Sequence, residues 1–137
     1  MRSYLFVHQN FPAQYRHLAA HLAAQGNRIV AIGDKANLVR RGAQIAGVTL
    51  LGYSMIEKEF DPFTASALKA IDRGRAVAAA AARLRSDGFR PDVVFAHIGW
   101  GEALFLRRSF RRRSSSSMES SSIGAGTATS ASIRNSR

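Results

Sequence analysis

The chain lacks cysteine, has only three prolines and contains no long apolar run. Without cysteine it can form neither a disulfide framework nor a thiolate metal site. Its alanine run at residues 78–82 is far shorter than the roughly 20 apolar residues that span a bilayer. The first apolar run ends at His8, which is too short for the core of a signal peptide. We therefore expect a cytoplasmic protein.

Acidic residues are also scarce, with 9 against 20 lysines and arginines, which gives a net charge of +11. The excess is uneven along the chain. Residues 1–106 carry 13 basic and 8 acidic side chains, whereas residues 107–137 carry 7 and 1. A nucleic-acid-binding protein that uses the cluster Arg111–Arg113 is therefore the least favoured class, and we expect no specific nucleic-acid partner. The modest positive charge of residues 1–106 is compatible with binding to phosphorylated ligands or to an anionic surface.

Short apolar runs alternate with helical patterns over the first 110 residues. Four runs read as strands, namely Tyr4–His8, Arg28–Gly33, Val48–Leu51 and Val93–His97. Helices are predicted from Ala13 to about Gly26 and from Asp61 to about Arg85, and residues 34–46 as a loop with a short helical piece. Strands alternating with helices predict an α/β fold, a Rossmann-like parallel sheet with flanking helices.

Two of the predicted strands end in a histidine. His8 leads into a turn with Asn10 and Phe11, and His97 leads into a turn with two glycines and a tryptophan. The carboxyl ends of parallel strands share one edge of the sheet, where such sheets bind ligands. We therefore expect His8 and His97 to project from adjacent sides of a single crevice. The structural alternative for His8 is a polar strand cap that is hydrogen-bonded to its own loop.

The first loop has a functional and a structural interpretation. Asn10 and Phe11 either contact a ligand or serve only the turn. Gln14 and Arg16 fall in the first helical turns, where free amides suit an anion, but Arg16 also fits a solvated helix face. His17 and His21 share a helix face without a third ligand, so we expect surface residues and no metal site.

The second loop carries the stronger candidates. Gly99 and Gly101 allow the backbone to approach a sugar or phosphate closely. Trp100 either stacks on a sugar ring or plugs the sheet edge. Glu102 is placed in the first turn of a helix running to Phe110, where a carboxylate complements the helix dipole and a catalytic role is the alternative.

The long helix and the missing motifs complete the prediction. Its arginines, at positions 73, 75, 83 and 85, indicate a solvated face or a basic docking surface for anionic or membrane-linked ligands. No G-x-G-x-x-G turn follows the first strand, which excludes a dinucleotide-dependent oxidoreductase. A P-loop and a G-x-S-x-G elbow are also missing, and we predict no cofactor.

Three stretches resemble the amino-terminal domain of family 4 glycosyltransferases. They are Leu5–Leu18, which contains HQNFPAQYRHL, the helix with Gly74, Arg75 and Ala76, and Gly88–Leu106, which reads GFRPDVVFAHIGWGEALFL. The resemblance covers residues 1–110. It implies the first half of a two-domain GT-B fold and retaining transfer of a sugar from a nucleotide-sugar donor to a glycan or lipid-linked acceptor. It also implies that no metal is needed and that the carboxyl-terminal domain, which the chain lacks, holds most of the donor.

Under this interpretation His97 is the catalytic candidate. The residues predicted to bind substrate are His8, Asn10, Phe11, Gln14, Arg16, Gly99, Trp100, Gly101 and Glu102. Peripheral contact with the inner membrane face is a further expectation. A non-enzymatic α/β ligand-binding module stays as the alternative function, because it would use the same strand ends.

After Phe110 the chain becomes rich in arginine, serine and small residues, and it no longer resembles the family. Residues 111–137 cannot bury a core, so we predict a disordered tail. Loss of one nucleotide after codon 110 would explain the change, because the restored frame can encode Pro-Pro-Ala followed by four leucines over residues 111–117. We therefore predict a truncated and frameshifted domain that is inactive alone, with an unpaired edge on its fourth strand.

Overall fold

The computed structural model describes residues 1–111 as one parallel sheet with helices on both faces. The strands are β1 (Ser3–Val7), β2 (Arg28–Asp34), β3 (Val48–Tyr53) and β4 (Val93–Ala96). A 3₁₀ turn at Ala13–Tyr15 precedes α1 (Arg16–Ala24), and the other helices are α2 (Lys35–Arg41), α3 (Ala65–Ser86) and α4 (Leu106–Phe110). The α/β fold class predicted from the sequence is confirmed.

The order of the strands across the sheet is β3-β2-β1-β4, and every neighbouring pair is parallel. Tyr4 in β1 pairs with Ile29 on one side and with Val93 on the other. After β1 the chain adds β2 and then β3 on one side of β1. Helix α3 then returns the chain across the sheet, and β4 pairs with the other side of β1. The gap between the carboxyl ends of β1 and β4 is therefore a topological switch point, where open α/β sheets bind their ligands.

Alternation along the strands divides the apolar residues between two cores. Leu5 and Val7 of β1 face the layer of α3 and α4, whereas Phe6 faces the layer of α1 and α2. Small residues on α3 allow close packing, because Gly74 lies directly against the turn at Gly101 and Ala81 is buried in the core with Leu5 and Val7. Helices cover both faces of the sheet at β1 and β2, as their continuous apolar runs require, whereas Val94 of β4 is 38% exposed.

Helix ends follow local chemistry. The carboxylate of Asp34 accepts a hydrogen bond of 3.1 Å from the backbone N–H of Asn37 at the start of α2. Gly42 ends that helix with a φ of 55°, in the left-handed region that glycine adopts without strain. Within residues 1–111, no helix is both long and apolar enough to cross a membrane.

The region after β4 differs from the prediction. The helix expected from Glu102 begins at Leu106, and the preceding residues form turns. Gly101 has a φ of 91°, which no helical residue can have, and its backbone rests against α3. The predicted interaction of Glu102 with a helix dipole is therefore wrong. Within residues 1–111, β4 pairs only with β1. The predicted disorder and frameshift concern residues beyond 111, which lie outside the described part of the chain.

Candidate functional site

His8 and His97 follow neighbouring strands and lie side by side at the switch point. Their ring centroids are 5.0 Å apart, and the ring planes meet at 59°. Each backbone N–H continues the ladder of its strand, with His97 donating to the carbonyl of Val7 and His8 to that of Ile32, both at 3.1 Å. The two imidazoles are adjacent, as predicted, but His8 is buried, so the prediction that both side chains project from a crevice is not met by His8.

Both imidazoles are oriented by the same local device. Nδ1 of His8 accepts a hydrogen bond of 3.0 Å from the backbone N–H of Asn10, and Nδ1 of His97 accepts one of 3.2 Å from that of Gly99. An Nδ1 atom that accepts carries no hydrogen, so in the neutral ring the hydrogen is on Nε2. The geometry therefore makes the Nε2–H group of each neutral ring a hydrogen-bond donor. A side chain at position 99 would disturb this, because a Cβ would lie 2.7 Å from Cε1 of His97.

The two histidines differ in burial. The His8 side chain is only 7% exposed and meets the edge of the Tyr15 ring, whereas His97 is half-buried. Burial lowers the pKa of His8, and the nearby His97 and Arg41 lower it further. His8 is thus held in its neutral form, and His97 is the more accessible donor of the pair.

The turn after His97 is packed directly onto α3. A Cβ at Gly101 would collide with the carbonyl of Ala70, and a Cβ at Gly74 would lie 2.7 Å from the carbonyl oxygen of Gly101. Arg73 donates a hydrogen bond of 3.1 Å to the carbonyl of Trp100. With its backbone fixed, the Trp100 side chain remains 50% exposed and accessible to a ligand.

Glu102 is fully buried at the end of this turn. One carboxylate oxygen accepts a hydrogen bond of 3.2 Å from the hydroxyl of Tyr53, at the carboxyl end of β3. Burial raises the pKa of Glu102, while the hydrogen bond from Tyr53 and the charge of Arg73 act in the opposite direction. The Tyr53 pKa is raised as well, by burial first and then by the charge of Glu102. The Glu102 side chain has no exposed surface and therefore cannot contact a ligand. The prediction that Glu102 binds substrate directly is corrected to a buried structural position.

The remaining predicted residues separate into buried and exposed positions. The Phe11 side chain is fully buried in the core against Phe6, with ring centroids 6.2 Å apart, so the predicted ligand contact by this side chain is corrected to a packing role. Asn10 is half-buried and uses its backbone N–H to orient His8. Gln14 and Arg16 are exposed where α1 begins, within reach of solvent and ligands.

The arginines of α3 do not form one uniform surface. Arg75 and Arg83 are exposed, as predicted. Arg73 and Arg85 are half-buried and donate to backbone carbonyls, those of Trp100 and Ser109, at 3.1 and 3.2 Å. The prediction of a solvated face is therefore wrong for these two. His17 and His21 are exposed on α1, as expected.

An open cavity of about 570 Å³ lies at the same edge of the sheet, beside the loop that follows β3. Its lining residues include Asp34, Met55, Lys58, Phe60, Lys69 and Arg73. Because Arg73 also interacts with the turn after His97, the cavity is adjacent to the buried Glu102. Tyr53 and Arg73 are the site residues that sequence reasoning missed. The position of Tyr53 at a strand's carboxyl end was the available signal, whereas nothing separates Arg73 from Arg75 in the sequence.

A protein-family model described as the glycosyl transferase family 4 group matches residues 25–116, which is more than half of the chain. The matched part contains β2 to α4 and thus the loop with His97, but not residues 5–18 with His8. Comparison with curated proteins and with solved structures gives no significant match.

Proposed function

This chain belongs to the glycosyl transferase family 4 group, and from that premise we propose that residues 1–111 form the acceptor side of a glycosyltransferase active site. One observation carries the proposal. Two imidazoles with the same tautomer lie 5.0 Å apart at the switch point of the sheet, with an exposed tryptophan on the adjoining turn.

The reaction that we propose joins a hydroxyl oxygen of the acceptor to the anomeric carbon of a donor sugar. The bond between that carbon and the phosphate oxygen of the nucleotide breaks, and the hydroxyl proton leaves with the departing phosphate. The nucleotide-sugar donor, the retained anomeric configuration and a glycan or lipid-linked acceptor come from the family resemblance. The residues in hand supply donors, because an Nε2–H group can bind a sugar hydroxyl or a phosphate oxygen.

We assign His97 to the reacting end of this site, because it is the more exposed of the two imidazoles. His8, which is adjacent and more deeply buried, is the second donor of the pair. The half-exposed ring of Trp100 can stack on the apolar face of a sugar. The positive φ of the next residue, Gly101, determines the direction in which the chain leaves Trp100. Asn10, Gln14 and Arg16 lie on the side of β1 and complete the proposed acceptor wall.

We further propose that the 137-residue polypeptide does not turn over a nucleotide sugar by itself. Catalysis in a cleft needs groups from both sides around one transition state. Residues 1–111 comprise a single sheet with its helices, and hence one side of such a cleft.

The test uses the 137-residue chain with ¹⁵N-labelled histidine. Methyl glycosides as acceptor probes and UDP-glucose as donor probe are titrated while the imidazole resonances are followed. We expect shifts at His97 and His8, with weak affinity, and no shift at the exposed His21 on α1. His97→Gln should abolish the binding, whereas the matched control His21→Gln should retain it.

Two results would contradict the proposal. Shifts that spread equally to His21 would mean nonspecific binding, and release of UDP by the isolated chain would disprove its inactivity. Tight binding of one sugar without a partner domain would favour the alternative of a non-enzymatic binding module.

A further inference from the structure

Glu102 is the one fully buried ionisable side chain in the part of the chain that the structure describes. Its Oε1 accepts from the Tyr53 hydroxyl, and the backbone of Gln9 also favours its carboxylate form, but its Oε2 is buried and has no hydrogen bond of good geometry among residues 1–111. Burying a carboxyl group with half of its bonding capacity unused costs stability. Such a cost is typical of residues kept for function rather than for folding.

Arg73 brings a second buried group to the same place. It donates to the carbonyl of Trp100, its Nε is buried without a partner among residues 1–111, and its charge favours the carboxylate form of Glu102. Tyr53 comes from β3, Arg73 from α3 and Glu102 from the loop after β4. We call these three residues the Glu102 clamp.

The clamp holds one end of the turn that carries His97 and Trp100. The other end is fixed by the hydrogen bond from the backbone N–H of His97 to the carbonyl of Val7. Between these ends, Gly101 contacts the backbone of α3 so closely that no side chain fits. The two candidate ligand-binding side chains therefore lie on a turn whose backbone is fixed from β1, β3 and α3.

We propose that Glu102, through Tyr53 and Arg73, is a positioning residue that holds His97 and Trp100 in one orientation toward the acceptor. This positioning role matters only if His97 and Trp100 bind the acceptor, so the inference rests on the proposed function. The experiment that tests the positioning role needs no substrate. Glu102 is not assigned as a catalytic residue, because a side chain with 0% exposure cannot reach a reacting atom.

The ionisation of Glu102 gives the clamp a measurable signature. The titratable and charged groups that face it are Tyr53, Arg73, His97 and Tyr15. Burial raises the pKa of Glu102 above its ordinary value of 4.5, so the carboxyl group ionises at a higher pH than an exposed glutamate. When it ionises, its attraction to Arg73 strengthens, and the carbonyl of Trp100 is held by the same arginine.

Trp100 is the only tryptophan in the chain, so its fluorescence reports on this turn alone. In the first measurement, the emission of the 137-residue chain is followed from pH 4.5 upward, without any ligand. We expect a transition that tracks the carboxyl resonance of Glu102 in ¹³C NMR. Glu102→Gln should remove that transition, because glutamine keeps an acceptor for Tyr53 but cannot ionise. Only the part of the fluorescence response that disappears in Glu102→Gln is assigned to Glu102.

In the second measurement, acrylamide quenching of Trp100 compares Arg73→Met with Arg75→Met. Arg75 is exposed two positions along the same helix and is the matched control. Loss of one charged hydrogen bond from Arg73 should raise the quenching constant about twofold. Arg75→Met should leave it unchanged.

Equal quenching in the two variants, or a wild-type emission that does not follow the Glu102 carboxyl, would overturn the proposal. If Arg73→Met does not fold, the pH titration of the unmodified chain decides. A positive result here with no sugar binding at His97 would leave the clamp standing and reject the proposed function.

Discussion

His8 and His97 lie with their ring centroids 5.0 Å apart and are oriented by the same hydrogen bond, although they come from opposite ends of the described chain. Each ring is fixed by the backbone N–H two residues further on, at 3.0 Å for His8 and 3.2 Å for His97. One local device, placed after two neighbouring strands, thus creates a pair of matched donors.

The tautomers can be checked directly. In the 137-residue chain with ¹⁵N-labelled imidazoles, the neutral forms of both rings should show a protonated Nε2 and a bare Nδ1. Gly99→Ala should disturb only His97, because the added Cβ would lie 2.7 Å from Cε1 of that ring. A protonated Nδ1 in either neutral ring of the unmodified chain would contradict the hydrogen bonds described above.

Stability should depend on the glycine at position 101 for two separable reasons. Gly101→Ala should cost about 3 kcal/mol or more, because it combines a φ of 91° with a collision against the Ala70 carbonyl. Gly88→Ala is the matched control, since its φ is 84° but no atom lies within 4 Å of the new Cβ. That variant should cost about 1 kcal/mol. Equal losses in urea unfolding would show that the close approach to α3 contributes nothing.

The burial of Phe11 also has a quantitative consequence. Phe11→Ala removes a fully buried ring and should lower the free energy of unfolding by about 3–5 kcal/mol. Phe63→Ala removes a ring that is 98% exposed and should change it by less than about 0.5 kcal/mol. Denaturant titration of the two variants gives the comparison. A small effect of Phe11→Ala would restore the possibility of a ligand contact at this position.

Acid should weaken the fold partly through His8. Because its pKa is lowered in the folded chain, the unfolded chain binds more protons as the pH falls below 6.5. The stabilising contribution is therefore present above pH 6.5 and is lost as the pH falls through the lower, folded-state pKa. His8→Gln should flatten the decline of unfolding free energy from pH 7.5 to 5. An exposed position, His21→Gln, serves as control, and an unchanged slope in His8→Gln would refute this role.

The strands and the histidine pair were predictable because they depend on local patterns and one topological rule. Apolar runs such as Ile29–Ile32 are recognisable alone, and parallel strands must place their carboxyl ends together. Glu102 was misplaced because a carboxylate before an apolar run has the pattern of a helix start. Contact between Gly101 and α3 delays that helix, and such a contact involves residues distant in sequence.

The burial of individual side chains was the other feature that the sequence did not predict correctly. Arg73 and Arg75 are alike in sequence, and only the rotation of α3 against the turn decides which one is half-buried. Phe11 follows a strand as a ligand-binding aromatic would, but the space beneath α1 accepts its ring beside Phe6. Neither outcome can be read from periodicity, because both depend on how two elements meet.

The central place of β1 affects how the site comes into being. Strands β1 to β3 are contiguous along the chain, whereas β4 reaches β1 only after the whole of α3 has been made. A nascent chain that ends before β4 therefore contains His8 but not His97. A molecule that needs both imidazoles can bind only after β4 has paired with β1, and its binding stabilises that paired state.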